Sequence, residues 1–338
     1  MRKIDVYNHI WPMPFYERVS KLAPNMEDMN KRTTAVPMIT NLDIRFKVMD
    51  RFGPDYQQIL SLASPPLEMI AGEKNAPELA RIANDGMAEI CAKYPDRFPG
   101  FIASVAVEDT QALMHETERA VKSLGAVGVQ VFTNAGGKPL DTADYMPFYK
   151  WMADNDRMIW VHPSRGANFP DYLSEKRSQY EIWWAFGWPY ETSVFMARLV
   201  FAKVFDLIPN LKIITHHAGG MIPFFEGRIG PGFDQLGNRT SGSNYKELLQ
   251  ELKKRPIDYF RMFYADTATF GSKPATECAL SFFGSDHMLF ASDAPYDPEQ
   301  GPMYIRETIK VLDELDVSDV DRNKLYHGNA EKLLHLRS

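Results

Sequence analysis

The chain has 338 residues, 45% apolar and 12% aromatic, with 38 Lys plus Arg against 44 Asp plus Glu and a formal charge of −6. That is a globular composition, and its mild acidity excludes the electrostatic footprint of a DNA- or RNA-binding protein. Two cysteines, Cys91 and Cys278, exclude a disulfide framework and a cysteine-based zinc site. No apolar run approaches the roughly 18 residues of a membrane span, and the start reads as neither a secretory nor a membrane signal. A soluble cytoplasmic protein is expected.

Short β-branched or aromatic runs alternate with helical patterns along the chain. A strand is predicted at 3–7, followed by a long connection, 11–41, rich in Pro, Met and charge. Strand 57–62 is next, then a helix over 76–93 that stops before Pro95. Strand 100–107 leads to a helix over 110–124, which Asp109 can cap and Gly125 can end. Strands follow at 128–132 and 158–161, and a second long connection, 163–190, carries Trp183, Trp184 and Trp188. Helix 190–207, strand 212–215, helix 245–254, strands 262–265 and 288–291 and helix 302–315 complete the chain.

Several of these strands are almost wholly apolar, as parallel strands buried on both faces are. Eight strand–helix units predict a single-domain (β/α)8 TIM barrel over residues 1–338. A doubly wound sheet is the rival, but the glycine-rich nucleotide turn it would often show is missing from the sequence. Long loops inside a compact domain are usually functional. Segments 11–41 and 163–190 read either as lids over the barrel mouth or as surfaces packed on a partner subunit.

Chemistry in such a barrel sits where the strands end. The first ends Tyr7-Asn8-His9, the fifth at His162, the sixth at His216-His217, the seventh at Asp266 and the eighth at Asp293. Residues distant in sequence thus converge on one mouth. Imidazoles and a carboxylate around one point suit zinc, and also manganese, iron or cobalt. Singly, each histidine is more often a hydrogen-bonded core residue; their placement at successive strand ends favours a metal site. His115, His287, His327 and His335 fall on helices or loops and carry no such expectation.

The motifs resemble those of the amidohydrolase superfamily, in the branch of aminocarboxymuconate-semialdehyde decarboxylase and the resorcylate-type decarboxylases. Ile4 to Pro12 (I-D-V-Y-N-H-I-W-P) is similar to that branch's I-D-x-H-x-H-x-x-P. Arg45-x-x-x-Met49-Asp50, Gln58-x-Leu60-Ser61, Gly125-x-x-Gly128-Val129-Gln130, Val161-His162-Pro163 and Pro189-x-Glu191-Thr192 follow in the family's order. So do His217-x-Gly219-Gly220-x-x-Pro223, Ser292-Asp293-x-Pro295 and Gly328-Asn329-Ala330.

The resemblance implies one divalent metal ion, zinc before manganese, held by His9, His162 and Asp293. It gives His217 an acid/base or substrate-orienting part and turns His216 toward the barrel wall. The chain departs from the family at one ligand position, where Tyr7 replaces a histidine that resorcylate-type relatives often exchange for Glu. Tyr7 can be an unusual ligand after losing a proton of ordinary pKa about 10, or a hydrogen-bonding neighbour; a weakened or lost metal site is the third reading.

The implied reaction is non-oxidative decarboxylation of an aromatic or conjugated carboxylic acid, a carbon–carbon lyase step. Asp293 delivers a proton to an sp2 carbon and His217 assists. Arg165 and Arg228 are candidates for the substrate carboxylate, and Trp11, Phe15, Trp184 and Trp188 for apolar walls. A metal-dependent hydrolase or hydratase is the alternative, and a metal-free, non-catalytic homologue the third. Relatives are often homodimers, so a homodimer with a small-molecule acid substrate, and neither nucleic-acid nor membrane partner, is expected.

Overall fold

In a computed structural model, which describes residues 1–23 and 28–336, eight parallel strands run in the order β1 to β8. They are β1 (Lys3–Ile10), β2 (Tyr56–Leu62), β3 (Gly100–Ser104), β4 (Gly128–Phe132), β5 (Met158–His162), β6 (Ile213–Thr215), β7 (Tyr264–Asp266) and β8 (Met288–Leu289). Each pairs with the next. The seam between β8 and β1 is closed by isolated backbone bonds: Val6 N to Phe290 O at 2.9 Å, Asp293 N to Tyr7 O at 3.1 Å and His9 N to Ala294 O at 2.8 Å. This is the predicted (β/α)8 barrel.

Helices Ala76–Lys93 and Thr110–Leu124 fall where the pattern places them. Asp109 accepts from Gln111 N and Ala112 N, and Gly125 ends the second helix in the left-handed region at φ 77°, as local capping chemistry requires. Helix 190–207 is broken instead into Gly187–Phe201 and Val204–Leu207, with Lys203 between them at φ 60°. Strand 262–265 shifts to Tyr264–Asp266, because Met262 and Phe263 complete the turn after helix Pro256–Phe260. Segment 11–41 is not a plain loop. Its described residues fold into helices Met13–Leu22 and Asp28–Thr34 and a 3-10 turn, Pro37–Ile39; residues 24–27 lie outside the described residues. Segment 163–190 carries the short helix Ile182–Ala185.

The barrel has two apolar layers. The larger lies between sheet and helices and takes in Leu60, Phe101, Ala103, Ile159, Val161 and Ile213. The smaller fills the barrel axis with Ile4, Val6, Ile59, Ile102, Trp160, Ile214, Leu289 and Ala291. Strand alternation separates them, since successive side chains point to opposite faces. Ala330, Leu333 and Leu334 of the C-terminal helix pack against this inner layer and so close the strands' N-terminal end. The opposite end is left for polar residues.

Candidate metal centre and active-site cavity

The same alternation places the site. Trp160 and Ile214 point inward, so His162 and His216, two residues on, do as well; Ala291 does the same for Asp293. In β1 the inward residues Ile4 and Val6 would bring Asn8 inside. A bulge between Asp5 and Asn8 shifts the register and re-aims the strand. Tyr7 and His9 therefore face the axis, while Asn8 turns out to accept from Arg45 Nη1 at 3.0 Å.

The turn after β6 is held in an uncommon backbone. His217, Ala218, Gly219 and Gly220 all have positive φ, from 55° to 79°. Gly219 and Gly220 are required there: a Cβ would meet the Phe283 ring at 2.7 Å and Pro189 O at 2.6 Å. Asp293 is also left-handed, at φ 61°. Such strain in non-glycine residues persists where surrounding structure enforces it, and gathers at functional sites.

One donor atom each from His9, His162 and His216 lies within 4.8 Å of the others, and the same holds for His216, His217 and Asp293. Asp293 joins the two groups. Its Oδ1 is 2.9 Å from His9 Nε2 and 3.2 Å from His216 Nε2, and its Oδ2 is 3.5 Å from His217 Nε2. The histidine partners fix what these nitrogens present. Ser61 Oγ donates to Asn8 O at 2.6 Å, which leaves it to accept from His9 Nδ1 at 3.0 Å. His162 Nδ1 donates to Pro163 O at 2.7 Å, and His216 Nδ1 pairs with Asp266 Oδ2. With Nδ1 of His9, His162 and His216 occupied, these rings turn Nε2 toward one another and toward a carboxylate, while His217 Nδ1 is buried without a partner. Four converging acceptors need a cation between them, and outward-anchored imidazoles are how proteins orient metal ligands. His216 Nε2 is buried without an aligned hydrogen bond, which fits a metal-binding role.

The titration behaviour agrees. Burial, with the charge of His216, holds His162 well below the ordinary histidine range. His9 and His217 are also lowered, chiefly by burial. Burial opposes charge on His216 too, but Asp266 and Asp293 outweigh it and raise the ring to about 9. Burial would raise Asp293, yet the charge of His216 and hydrogen bonds from His216, His217 and His9 hold it well below the carboxylate range. Without a metal, a proton on His216 supplies the cation.

Tyr7 faces this centre, with its ring 4.3 Å from that of His216, and donates its hydroxyl to Gln130 Oε1 at 2.8 Å. Burial, with Asp266 and Asp293, pushes the phenol well above 10. Tyr7→Phe is expected to cost about 1–3 kcal/mol by leaving Gln130 Oε1 unpaired. Metal affinity should fall by well under the about tenfold that loss of a metal-supporting group brings. Thermal melting and Mn2+ titration read both effects, and a larger loss of affinity would make Tyr7 a ligand.

A cavity of about 500 Å3 opens from His162 and Asp293 to the surface, walled by Trp183, Trp184, Trp188, Phe270, Tyr296 and Tyr304. Segments 28–34 and 167–188 contribute to its lining, consistent with the lid reading of the two long connections. Trp184 and Trp188 are among its walls. Trp11 and Phe15 are not: both are buried in the outer core. Nor are the two arginines. Arg165 pairs with Glu191 at 2.9 Å and lies outside this lining, although its carbonyl accepts from Trp188 Nε1 at 3.1 Å. Arg228 is exposed on helix Glu226–Phe233 and does not line the cavity. Arg32 and Arg177 do. Arg32 donates to Tyr296 O at 2.6 Å and lies over the Tyr296 ring. His216 and Arg32 are the residues that sequence reasoning missed. Inward parity after Ile214 was the signal for His216; nothing local marks Arg32.

Known proteins show the same arrangement of chain and fold. The family described as Amidohydrolase matches residues 4–336. A γ-resorcylate decarboxylase of Polaromonas sp. is 33% identical over 307 residues, 87% of each chain. The 2-amino-3-carboxymuconate-6-semialdehyde decarboxylase of Dictyostelium discoideum is 27% identical over 87% of this chain and 76% of that one. A crystal structure of a Polaromonas dihydroxybenzoic acid decarboxylase, with bound manganese and the inhibitor 2-nitroresorcinol, superposes with a TM-score of 0.78 at 27% identity. The match covers 100% of this chain and 98% of that one. The chain belongs to the amidohydrolase family.

Proposed function

We propose that the protein is a metal-dependent, non-oxidative decarboxylase of an aromatic carboxylic acid. The observation that carries this is the convergence of His9, His162 and His216 Nε2 with Asp293 at the base of an aromatic-walled cavity. The decarboxylase names of its relatives support the reaction class. His9, His162 and Asp293 would hold one divalent ion, with His216 in the place that Tyr7 leaves. When bound, the ion polarises an oxygen of the acid and stabilises charge developing beside it. Manganese, present in the Polaromonas structure, comes before zinc; these donors accept either.

The chain's own residues bind the ring and move the proton. Trp184, Trp188 and Phe270 offer the flat apolar walls that a planar acid needs and exclude water from it. Arg32 and Arg177 are the lining cations available for an anionic group, in place of Arg165 and Arg228. For each carbon dioxide that leaves, one proton taken from solvent at His217 Nε2 passes to Asp293 Oδ2, 3.5 Å away, and from there to the ring carbon in place of the carboxyl group. His217 is held between Trp188 and Phe270, with ring centroids 6.3 and 5.5 Å off.

The departure at Tyr7 keeps a hydrolase or hydratase as the second reading. Mass spectrometry of products from a panel of ortho-hydroxy aromatic acids separates the two: loss of carbon dioxide supports the decarboxylase, gain of water the alternative. Tyr172, Leu173, Tyr180 and Phe186, exposed apolar side chains gathered on the β5 connection, support a homodimer through that segment. A single-chain mass by light scattering would count against it. Among the described residues no helix is long and apolar enough to cross a membrane. Unpaired Cys91 and Cys278 support the reducing cytoplasm as the compartment.

A further inference from the structure

The seam between β1 and β8 is where the barrel is least regular, and it carries two of the four metal-site groups. β8 is two residues long as a paired strand. Three backbone bonds cross the seam between residues 6–9 and 290–294, while Tyr7 N and Ser292 N turn to a side chain. Buried backbone N–H groups left by such irregularity must find other acceptors.

One side chain supplies them. Asp5 is fully buried. Its Oδ1 accepts from Tyr7 N at 3.4 Å and Ser292 N at 3.0 Å. Its Oδ2 accepts from Ser292 Oγ and from Tyr56 Oη at 2.7 Å. Ser292 Oγ in turn accepts from Ala294 N at 3.1 Å. An ionised carboxylate is the one side chain that can receive four donors in this space. On the outer side, Arg45 is also fully buried and binds His9 O, Asn8 Oδ1 and Gln58 Oε1. Asp5 thus grips the residue before Asp293 and the bulge residue two before His9.

We infer that Asp5 is a positioning residue, a strut that reinforces the sparse backbone bonds of the β1–β8 seam and sets the spacing of His9 and Asp293 for the metal ion. The inference rests on reading the site as a metal centre. A merely structural role would lower stability and leave the folded site unchanged; a strut changes the site itself.

The test is Mn2+ titration of the folded wild type, Asp5→Ala and Asp5→Asn well below their melting temperatures. Asn84→Ala is the control, since it removes buried bonds to Ser104 and Glu116 far from the seam. Asp5→Ala is expected to weaken Mn2+ binding by at least about tenfold, the scale of losing a group that orients metal ligands. Asp5→Asn keeps one acceptor oxygen but opposes an N–H to the Ser292 and Tyr56 donors, and should weaken binding less. Asn84→Ala should leave it unchanged. If Asp5→Ala does not fold, Asp5→Asn decides. Metal-free hydrogen exchange is the second readout. Exchange across 5–10 and 290–295 should rise in the Asp5 variants while β4 and β5 stay protected. Wild-type protein that binds no Mn2+ contradicts the metal reading, and exchange then judges the strut alone. Where the wild type binds Mn2+, unchanged affinity in a folded Asp5 variant overturns the strut, whatever the seam exchange shows.

Discussion

Asp293→Asn is expected to lower kcat by about 100- to 10,000-fold, the range that a positioned proton donor contributes. The cause is double. The carboxylate is the negative group at the centre of three imidazoles, with Oδ1 and Oδ2 contacts to His9, His216 and His217 between 2.9 and 3.5 Å. An amide presents one oxygen instead of two, and its N–H group must face nitrogens that also need a cation. It also has no proton to pass to a carbon. Mn2+ affinity and kcat should therefore fall together, at unchanged secondary structure. Loss of kcat with full metal occupancy would confine Asp293 to proton transfer, and loss of neither would remove it from the site.

His216→Gln should be nearly as severe. The ring is buried, with Nδ1 on Asp266 and Nε2 toward the centre. Its removal takes away one Nε2 donor and leaves Asp266 facing the site without its partner. The expected loss of Mn2+ affinity is about 100-fold, the upper end of what metal-supporting groups are worth. Asp266→Asn should give a smaller loss in the same direction, since His216 keeps its nitrogen and loses only the carboxylate that orients it. Isothermal titration with Mn2+ reads both. If His216→Gln binds the ion as well as wild type, the ligands are His9, His162 and Asp293 with Tyr7 or solvent.

Much of this was legible in the sequence because it is local. Helix caps at Asp109 and Gly125, apolar parallel strands and polar residues at strand ends are written residue by residue, and they yield the barrel and His9, His162, His217 and Asp293. What was not legible depends on register or on distance. The bulge that re-aims Tyr7 and His9 follows from how β1 meets β2 and β8, and no residue in Ile4 to Ile10 announces it. His216 was set toward the wall by motif alignment, whereas strand parity from Ile214 turns it inward. Arg165 after β5 and Arg228 on the helix after His217 are the sequence's candidates for a substrate carboxylate. Glu191, 26 residues further on, claims the first, and the helix after β6 carries the second to the surface.

Strain explains why the site is built on turns. His217 and Asp293 both sit at positive φ, a cost of order 1–3 kcal/mol each, offset by the surrounding core and by Asp5, Asp266 and the Gly219-Gly220 turn. At His217 this backbone brings a residue of outward strand parity to Asp293, which already points inward by parity from Ala291.

The central claim is that this site removes carbon dioxide from an aromatic acid with the help of a divalent ion. Decarboxylation is reversible in principle, so exchange of labelled bicarbonate into the carboxyl group of a substrate is the most direct measurement. Protein stripped of metal and reloaded with Mn2+ should catalyse exchange into at least one acid of a hydroxybenzoate panel. Stripped protein and the Asp293→Asn variant should not. Absence of exchange on every acid, with Mn2+ bound at one ion per chain, would contradict the account.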